Sequence, residues 1–324
     1  MTEDVKLDKH GFIVQNATLQ KSDHIGRDNA RILKWEDMLQ RWDYNTKRRP
    51  TFIKKRVRKG IPDCLRGRVW AELAQIRQLK STYGENYYKT LLETETDAIS
   101  AEDIMRDIDR TFPEHILFRE GNLGQPALIR TLKAYSVHDP ELGYCQGMGF
   151  LIAMFLIYMS EEDAFWMLVA VMNKYQMREL YVPGMPGVYK AFYKINALFK
   201  HFMPQLWRHF RDLSLLPSMF APSWIMTLYI TLFPIEVTLR ILDTFFCEGP
   251  KVIYRVYIIA FKKAKEEMLS MTLDEILERI KTIQSDFAPD ELIKNAFGIS
   301  LSRKKLKELD KEYETGQNSE FVNW

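Results

Sequence analysis

The sequence predicts an all-α protein, a single large helical domain of roughly fifteen helices. Apolar residues recur at helical spacing in one segment after another, with Pro, Gly and capping residues between the segments. No segment bounded by turn residues alternates polar and apolar side chains as a half-buried strand would. The chain also has no repeat of fixed period, which argues against a solenoid. Because 46% of its residues are hydrophobic, these helices can share one continuous core.

The N-terminal region is predicted to be an extension ahead of this core. Residues 1 to about 30 are polar, and within them only Asp8–Val14 is expected to be a docking segment, with its docking surface left open. A lead-in helix is predicted over Ala30–Tyr44, with Ile32, Leu33, Trp35, Met38, Leu39 and Trp42 on its apolar face. Lys47–Lys59 then carries eight basic residues. This composition favours a solvated linker, and contact with an anionic membrane or nucleic acid is the alternative.

Helix signals continue along the chain after Gly60-Ile61-Pro62. The predicted helices are Leu65–Ile76, Tyr83–Thr94, Ala127–Val137, a core helix from Met148, Ala164–Tyr175, Val188–Met203, one opened by Pro204, Trp224–Phe233, Ile235–Cys247, Val252–Met268, Thr272–Ile283 and Asp290–Phe297. Caps are expected at Ser160 and at Thr272 with Glu275. The charged residues after Ser300 are predicted to form a frayed helix or a tail.

The overall composition argues against several classes of protein. A net charge of +3 does not indicate a nucleic-acid-binding protein. Three widely separated cysteines, Cys64, Cys145 and Cys247, favour a reduced, cytoplasmic setting. The N-terminus has no apolar signal segment, and the longest apolar run, Met148–Met159, is too short to span a bilayer.

The segment Ser100–Gly147 holds the first of two short signatures that attract functional interest. Ile104–Pro113 is predicted to contain a short helix that Ser100 caps together with Asp103 and that Pro113 ends. Asp107 and Arg110 are three residues apart, so they are neighbours on its surface. Arg110 is therefore expected at the end of a fixed helix with a carboxylate beside it.

The second signature is Gly143–Met148. Asp139–Gly143 reads as a turn, and the apolar helix that begins near Met148 follows it. Gln146 therefore lies where a loop meets a core helix, which is a rigid place from which to present an amide.

The remaining chemistry is limited. The chain lacks a phosphate-binding Gly-rich loop of either common pattern, so we do not expect it to bind a nucleotide by itself. His-Glu-x-x-His and paired Cys-x-x-Cys motifs are also missing, so a metal site has no support. Cys145 is expected to be a small buried residue rather than a nucleophile.

Arg110 and Gln146 are the side chains that remain as candidates. A guanidinium meets phosphate oxygens with a planar, permanently charged fork. A carboxamide can donate one hydrogen bond and accept another, as the orientation of an attacking water requires. The residues alone nevertheless favour a plainer interpretation, in which Asp107 and Arg110 form a surface ion pair and Gln146 merely precedes a helix.

The two signatures also resemble those of a known family. Ile-x-x-Asp-x-x-Arg at Ile104–Arg110 and Tyr-x-Gln at Tyr144–Gln146 are similar to the dual-finger motifs of the TBC-domain Rab GTPase-activating proteins. The resemblance covers roughly Val57 to Met271, and the matching blocks occur in the family's order: Arg58–Trp70, Ile104–Pro113, Gly143–Met148, Glu161–Trp166, Ser223-Trp224, Arg240–Asp243 and Glu248-Gly249.

This resemblance implies a helical, V-shaped domain of two lobes that binds a GTP-bound Rab-family GTPase and accelerates its GTP hydrolysis in vesicle trafficking. Arg110 would be the arginine finger and Gln146 the glutamine finger, with Asp107 and Tyr144 in supporting positions. The protein would then not be an enzyme in its own right, because it lends catalytic residues to a partner. It would need no cofactor, since the GTPase carries GTP and Mg²⁺.

The domain boundaries follow from the same resemblance. Residues 1–56 are expected to be the extension with its lead-in helix and basic linker, 57–271 the TBC domain, and 272–324 the C-terminal helices and charged tail. The sequence departs from the family pattern at Leu242, where Trp is usual, and at Gly149, where Ser or Asn is commoner. The first is expected to alter core packing, and the second to loosen the start of the Gln146 helix.

Another class of function remains open. A TBC-like scaffold could bind a GTPase or a membrane without accelerating hydrolysis, and the basic stretch and charged tail favour that alternative. In either case the protein is expected to be cytoplasmic and recruited transiently to membranes.

Overall fold

Helices make up the architecture of the described chain. A computed structural model describes residues 6–13 and 25–316. Within these residues β-pairing is limited to two isolated bridges, Leu7–Ile13 and Phe12–His115, so the predicted all-α class is confirmed. Eighteen α-helices occur in this part of the chain, against roughly fifteen predicted.

The chain divides into two units, Met1–Arg56 with Gly60–Lys174 and Val57–Lys59 with Tyr175–Trp324. The helices up to Lys174 are α1 (Ile25–Gln40), α2 (Trp42–Arg48), α3 (Pro50–Arg58), α4 (Arg66–Ala74), α5 (Ile76–Tyr83), α6 (Tyr87–Glu93), α7 (Ala98–Ile108), α8 (Gly124–His138), α9 (Met148–Leu156) and α10 (Glu161–Asn173). The predicted boundaries at residues 56 and 271 stay a prediction.

The core of the first unit is formed by α8, α9 and α10, which pack on one another. In α10 every side chain from Ala164 to Met172 is buried, and Ser160 caps the helix as predicted. Against this core lies α7, which contacts both α8 and α9. The first signature segment thus begins on a helix that packs against this core, and the second leads into α9, which is part of the core.

The lead-in helix begins and ends earlier than predicted, at Ile25 and Gln40, and Trp42 belongs to the separate helix α2. Trp35, Met38 and Leu39 are buried at spacings of three and four, and they define its inner face. Leu33 was assigned to that face wrongly, since its side chain is 66% exposed. Two residues correspond to about 200° around a helix, which places Leu33 opposite Trp35.

The basic stretch predicted to be a linker is largely helical: its first two residues end α2 and most of the rest form α3. Pro50 occupies the first position of α3, where a missing N–H costs nothing, and Ile53 and Val57 point inward. Arg58 donates through Nε and Nη2 to the carboxylate of Glu248, at 2.6 and 3.0 Å, within the second unit. The few apolar residues of the basic stretch recur at helical spacing and decide the local structure, and the high number of charged residues made this spacing easy to overlook.

The helices of the second unit are α11 (Pro186–Phe202), α12 (Pro204–Asp212), α13 (Ala221–Met226), α14 (Ile235–Glu248), α15 (Lys251–Met268), α16 (Leu273–Thr282), α17 (Pro289–Gly298) and α18 (Arg303–Glu314). Thr272 and Glu275 form the predicted capping box of α16. The predicted helix Trp224–Phe233 is wrong beyond Met226, because Leu228 and Tyr229 adopt left-handed backbone angles. The turn buries Tyr229 completely and lets its hydroxyl donate to the carbonyl of Ile253 at 2.7 Å.

The segment predicted as a frayed helix or tail is instead a docked helix as far as Glu314. Ser302 caps α18, and Leu306 and Leu309 are buried. Two ion pairs fix α18 to α11: Lys190 with Glu314 at 2.8 Å and Lys194 with Asp310 at 2.6 Å. Among the described residues, no helix is both long enough and apolar enough to cross a bilayer.

Candidate functional site

The start of α7 differs from the prediction. Asp97 is its N-cap and accepts from the backbone N–H of Ser100 at 2.8 Å. Ser100 and Asp103 therefore do not form the predicted cap. Ser100 is buried inside the first turn, and a Cβ added to Gly143 would lie only 2.9 Å from its hydroxyl. Ser100 thus serves the contact between the two signature segments.

The end of α7 also differs, since the helix stops at Ile108 well before Pro113. The hydroxyl of Thr111 donates to the carbonyl of Asp107 at 2.7 Å and so replaces the next helical hydrogen bond. Phe112 then adopts a left-handed φ of 50°. As a result Arg110 lies in the turn beyond the helix, while Ile104 and Ile108 are buried on the inner face of α7.

Asp107 joins the two signatures. Its Oδ1 accepts from Nη2 of Arg110, as the spacing of three predicted, and its Oδ2 accepts from the hydroxyl of Tyr144 at 2.5 Å. Asp107 is 7% exposed, whereas the side chain of Arg110 is 48% exposed. A buried carboxylate thus orients a guanidinium that remains accessible.

Tyr144 acts as a fixed donor in this arrangement. Burial raises the pKa of Tyr144 above its ordinary value, and the hydrogen bond to Asp107 raises it further. The phenol therefore stays protonated at neutral pH, and Asp107 receives hydrogen bonds on both carboxylate oxygens.

Gln146 is held by the backbone around it. Gly143 and Gly147 adopt φ angles of 63° and 101°, which are unfavourable for residues other than Gly. Gly147 is the N-cap of α9, so the exposed Gln146 lies directly before a buried helix, as predicted. When its carboxamide oxygen faces the guanidinium, Gln146 accepts from Nη1 and Nη2 of Arg110, each at 3.2 Å. The structure thus brings together all four residues singled out from the sequence.

Comparison with known proteins identifies the family of this domain. A family model of the Rab-GTPase-TBC domain matches residues 63–269. The chain belongs to this family. The matched range lies inside the domain predicted over residues 57–271.

Curated relatives of this TBC domain include Rab GTPase-activating proteins. The chain is 35% identical over 293 residues, or 89% of its length, to the human ecotropic viral integration site 5 protein homolog. It is 34% identical over 291 residues, or 88% of its length, to the Caenorhabditis elegans Rab GTPase-activating protein eat-17. The chain spans only 35% and 32% of the length of these two relatives.

Solved TBC domains share its fold. The Chlamydomonas flagellar RabGAP TBC domain has a TM-score of 0.69 at 26% identity, covering 90% of this chain and 99% of that one. The Ypt/Rab-GAP domain of Gyp1p has a TM-score of 0.68 at 20% identity, covering 83% and 97% of the two chains, which shows a common fold.

The chemistry available in this TBC domain is electrostatic. Arg110 presents a cation and Gln146 an amide, and both reach solvent from rigid supports. Burial raises the pKa of the Cys145 thiol, and the negative charge of Asp107 raises it further. Both effects disfavour a nucleophilic thiolate at Cys145. The arrangement is therefore suited to contacting anionic oxygens and a water molecule rather than to covalent catalysis.

Two contributions to the site were not foreseen from the sequence. The first is Thr111, whose hydroxyl ends α7. A Thr hydroxyl is known to compete with backbone N–H groups for carbonyl oxygens, so the residue type was a signal that could have been used. Gly149 permits close packing, since a Cβ there would lie 3.3 Å from Thr111 Oγ1 and 3.5 Å from the hydroxyl of Tyr144. The sequence suggested that Gly149 loosens the start of α9, but its lack of a side chain allows the two signature segments to approach.

Proposed function

We propose that this TBC domain accelerates GTP hydrolysis by a Rab-family small GTPase, with Arg110 and Gln146 lent to the partner's active site. The observation that carries the proposal is the contact between these two exposed groups, of which Arg110 is held from the buried side by Asp107, which in turn accepts from Tyr144. Membership of the Rab-GTPase-TBC family supports it. The GTP and Mg²⁺ would be carried by the partner GTPase.

Each group suits one need of phosphoryl transfer. Charge develops on the transferred phosphoryl group, and a guanidinium can neutralise it through a bidentate contact. The attacking water must be held in line, and the Gln146 amide can accept from that water while donating to another group. Electrostatic stabilisation of this kind is strongest when the groups are preorganised before binding.

The contact between Arg110 and Gln146 does not prevent such use. Both groups are exposed, so water already competes for their hydrogen bonds. Exchange of an exposed contact for phosphate oxygens costs about 1 kcal/mol or less. Asp107 can keep its bond to Arg110 during the exchange because it approaches from the buried side.

The test is single-turnover hydrolysis across a panel of GTP-loaded Rab proteins. Phosphate release should rise strongly for at least one Rab when the protein is added, and the Arg110→Ala variant should lack the effect. If no Rab in a complete panel responds while some bind, the chain is a scaffold without catalytic function.

A peripheral membrane contact is a second proposal, and the surface of α2 and α3 favours it. Lys47, Arg48, Arg49 and Lys55 are all exposed there. Each basic residue near an anionic bilayer contributes about 1 kcal/mol to binding. Such contact would recruit a cytoplasmic protein transiently, and it predicts cosedimentation with phosphatidylserine vesicles at low salt that the joint replacement of these four residues by Ser abolishes.

A further inference from the structure

A short N-terminal segment forms a closed loop ahead of the TBC domain. We call residues 7–13 the N-terminal clip. Asp8 accepts through Oδ1 from the backbone N–H groups of His10 and Phe12, at 2.8 and 2.9 Å. Its own N–H donates to the carbonyl of Phe12 at 2.8 Å, and Gly11 takes a φ of 92°. These local bonds give the clip a definite shape.

The clip is seated on the loop that follows Arg110. We call residues 111–116 the finger loop. The N–H of Ile13 donates to the carbonyl of Glu114 at 2.8 Å, and the N–H of Ile116 donates to the carbonyl of Gly11 at 2.9 Å. His115 Nε2 donates to the carbonyl of His10 at 2.8 Å. The predicted docking of Asp8–Val14 is therefore confirmed for residues 8–13, while Val14 lies outside the described residues.

Side-chain packing extends this contact towards Arg110. The ring of Phe12 lies 5.5 Å from that of Phe112 and 4.7 Å from that of His115, both edge to face. Phe112 in turn packs edge to face on Phe150 of α9 at 5.9 Å. Phe112 is two residues from Arg110, so the clip closes one side of an aromatic cluster that joins the finger loop to α9.

A strained backbone makes the support of this cluster significant. Phe112 has a left-handed φ of 50°, which is unfavourable for a bulky residue and persists only when the surroundings fix it. Thr111 connects this residue to Arg110 and bonds to the carbonyl of Asp107. If the backbone of Phe112 left this conformation, Thr111 would shift, and the backbone position from which the Arg110 side chain extends would no longer be fixed.

We propose that the N-terminal clip is a positioning element for Arg110. The clip touches neither Arg110 nor Gln146, but it holds the finger loop in the conformation from which Arg110 is presented. This proposal rests on the proposed GTPase activation. It assigns a role in that activity to residues that precede the matched family domain.

The kinetic test compares clip variants of the full chain, using the most strongly stimulated Rab as the substrate. Phe12→Ala removes the ring. Gly11→Ala dislodges the clip, because a Cβ there would lie 2.8 Å from His115 Nε2. We expect each to lower kcat about tenfold with KM within about twofold of the wild-type value, since misplacement of a catalytic group mainly affects the transition state. Phe12→Leu should restore part of kcat, and the exposed neighbour variant Lys9→Ala should match the wild type.

A second measurement keeps the proposal testable even without an active partner. In Phe12→Ala and Gly11→Ala, the amide of Ile116 should exchange faster with solvent, and the guanidinium NMR signal of Arg110 should move. Lys9→Ala should leave both unchanged. Faster exchange at Ile116 with an unmoved Arg110 signal or an unchanged kcat would overturn the positioning role. If the wild-type protein stimulated hydrolysis by no Rab at all, the proposed activity would be overturned instead.

Discussion

With its carboxamide oxygen turned towards the guanidinium, Gln146 accepts hydrogen bonds from both terminal nitrogens of Arg110, each at 3.2 Å. These side chains come from different loops, one after α7 and one before α9, and they meet at the surface of the first unit. Asp107 ties the same guanidinium to Tyr144 from the buried side. Four side chains thus form one connected network, and each can be removed separately.

Replacement of Arg110 should abolish most stimulation of GTP hydrolysis. Arginine fingers contribute about 10³ to 10⁵ in rate, and neither Ala nor the single ammonium of Lys reproduces a planar fork. Arg110→Ala and Arg110→Lys should therefore both lose most of the effect. Because the side chain is 48% exposed, the free energy of unfolding should change by about 1 kcal/mol or less. Single-turnover hydrolysis and urea denaturation measure the two quantities, and full activity in Arg110→Ala would refute the assignment.

The role of the Gln146 amide can be tested by removing it and by replacing it with a carboxylate of the same shape. Gln146→Ala removes the amide and should lower stimulation, by less than Arg110→Ala does. Gln146→Glu should be more harmful, because its carboxylate would pair with Arg110 at the observed distance and repel phosphate. The comparison is made by single-turnover hydrolysis at low and high salt. A Glu variant more active than the Ala variant would show that Gln146 does not face the phosphate.

Asp107 and Tyr144 should act through Arg110. Asp107→Ala leaves the half-buried hydroxyl of Tyr144 without its acceptor, which should destabilise the protein by about 1–3 kcal/mol. Tyr144→Phe removes only one bond and should cost about 0.5–1.5 kcal/mol. In activity, each change should lower stimulation in the wild-type background and have little effect when Arg110 is already Ala. Additive losses in these double variants would mean that the supports act independently of Arg110.

The sequence predicted the local contacts of this network better than the contact between its two segments. The spacing of Asp107 and Arg110 was sufficient for their ion pair, since three residues place side chains together on a helical turn. The position of Gln146 followed from a turn preceding an apolar run. Their mutual contact depends on how α7 and α9 pack, and no local pattern encodes that distance.

Errors in the predicted elements have similar physical causes. Asp97 and Ser100 are both good caps, and only the burial of Ser100 against Gly143 decides between them. The charge count of Lys47–Lys59 concealed the helical spacing of Ile53 and Val57. Tertiary burial thus overrides local propensity where two local solutions have similar free energies.

Arg58 is predicted to be structural although it belongs to the basic stretch. Glu248 is fully buried and contacts Arg58 at 2.6 Å and Lys251 at 2.9 Å. Burial would raise the pKa of Glu248, but the hydrogen bonds from Arg58 and Lys251 outweigh it and lower the pKa. Arg58→Ala should cost about 2 kcal/mol, less than the roughly 3–5 kcal/mol for a fully buried pair, because Arg58 is partly exposed.

The matched control for this change is Lys55→Ala, an exposed basic residue of the same helix. Its effect on urea denaturation should stay within about 0.5 kcal/mol. Equal midpoints for Arg58→Ala and Lys55→Ala would show that the pair with Glu248 does not contribute to stability. The same two variants separate folding from membrane contact, since only Lys55→Ala should weaken vesicle binding without changing stability.

Acidification should release the N-terminal clip through His115. The N–H of Leu117 donates to Nδ1 of His115 at 3.1 Å, and Nε2 donates to His10, so both nitrogens are used in the neutral ring. Burial lowers the pKa of His115, against opposing effects of the His10 carbonyl and the Asp8 carboxylate. The unfolded segment therefore binds a proton more readily than the docked one. The stabilising contribution is complete above the ordinary pKa of about 6.5 and declines as the pH falls through and below that value.

Hydrogen exchange at the Ile116 amide measures this effect. After correction for the intrinsic exchange rate, Ile116 should lose protection between pH 7.5 and pH 5, while amides inside α10 keep theirs. Constant protection of Ile116 over this range would mean that His115 does not couple clip docking to pH.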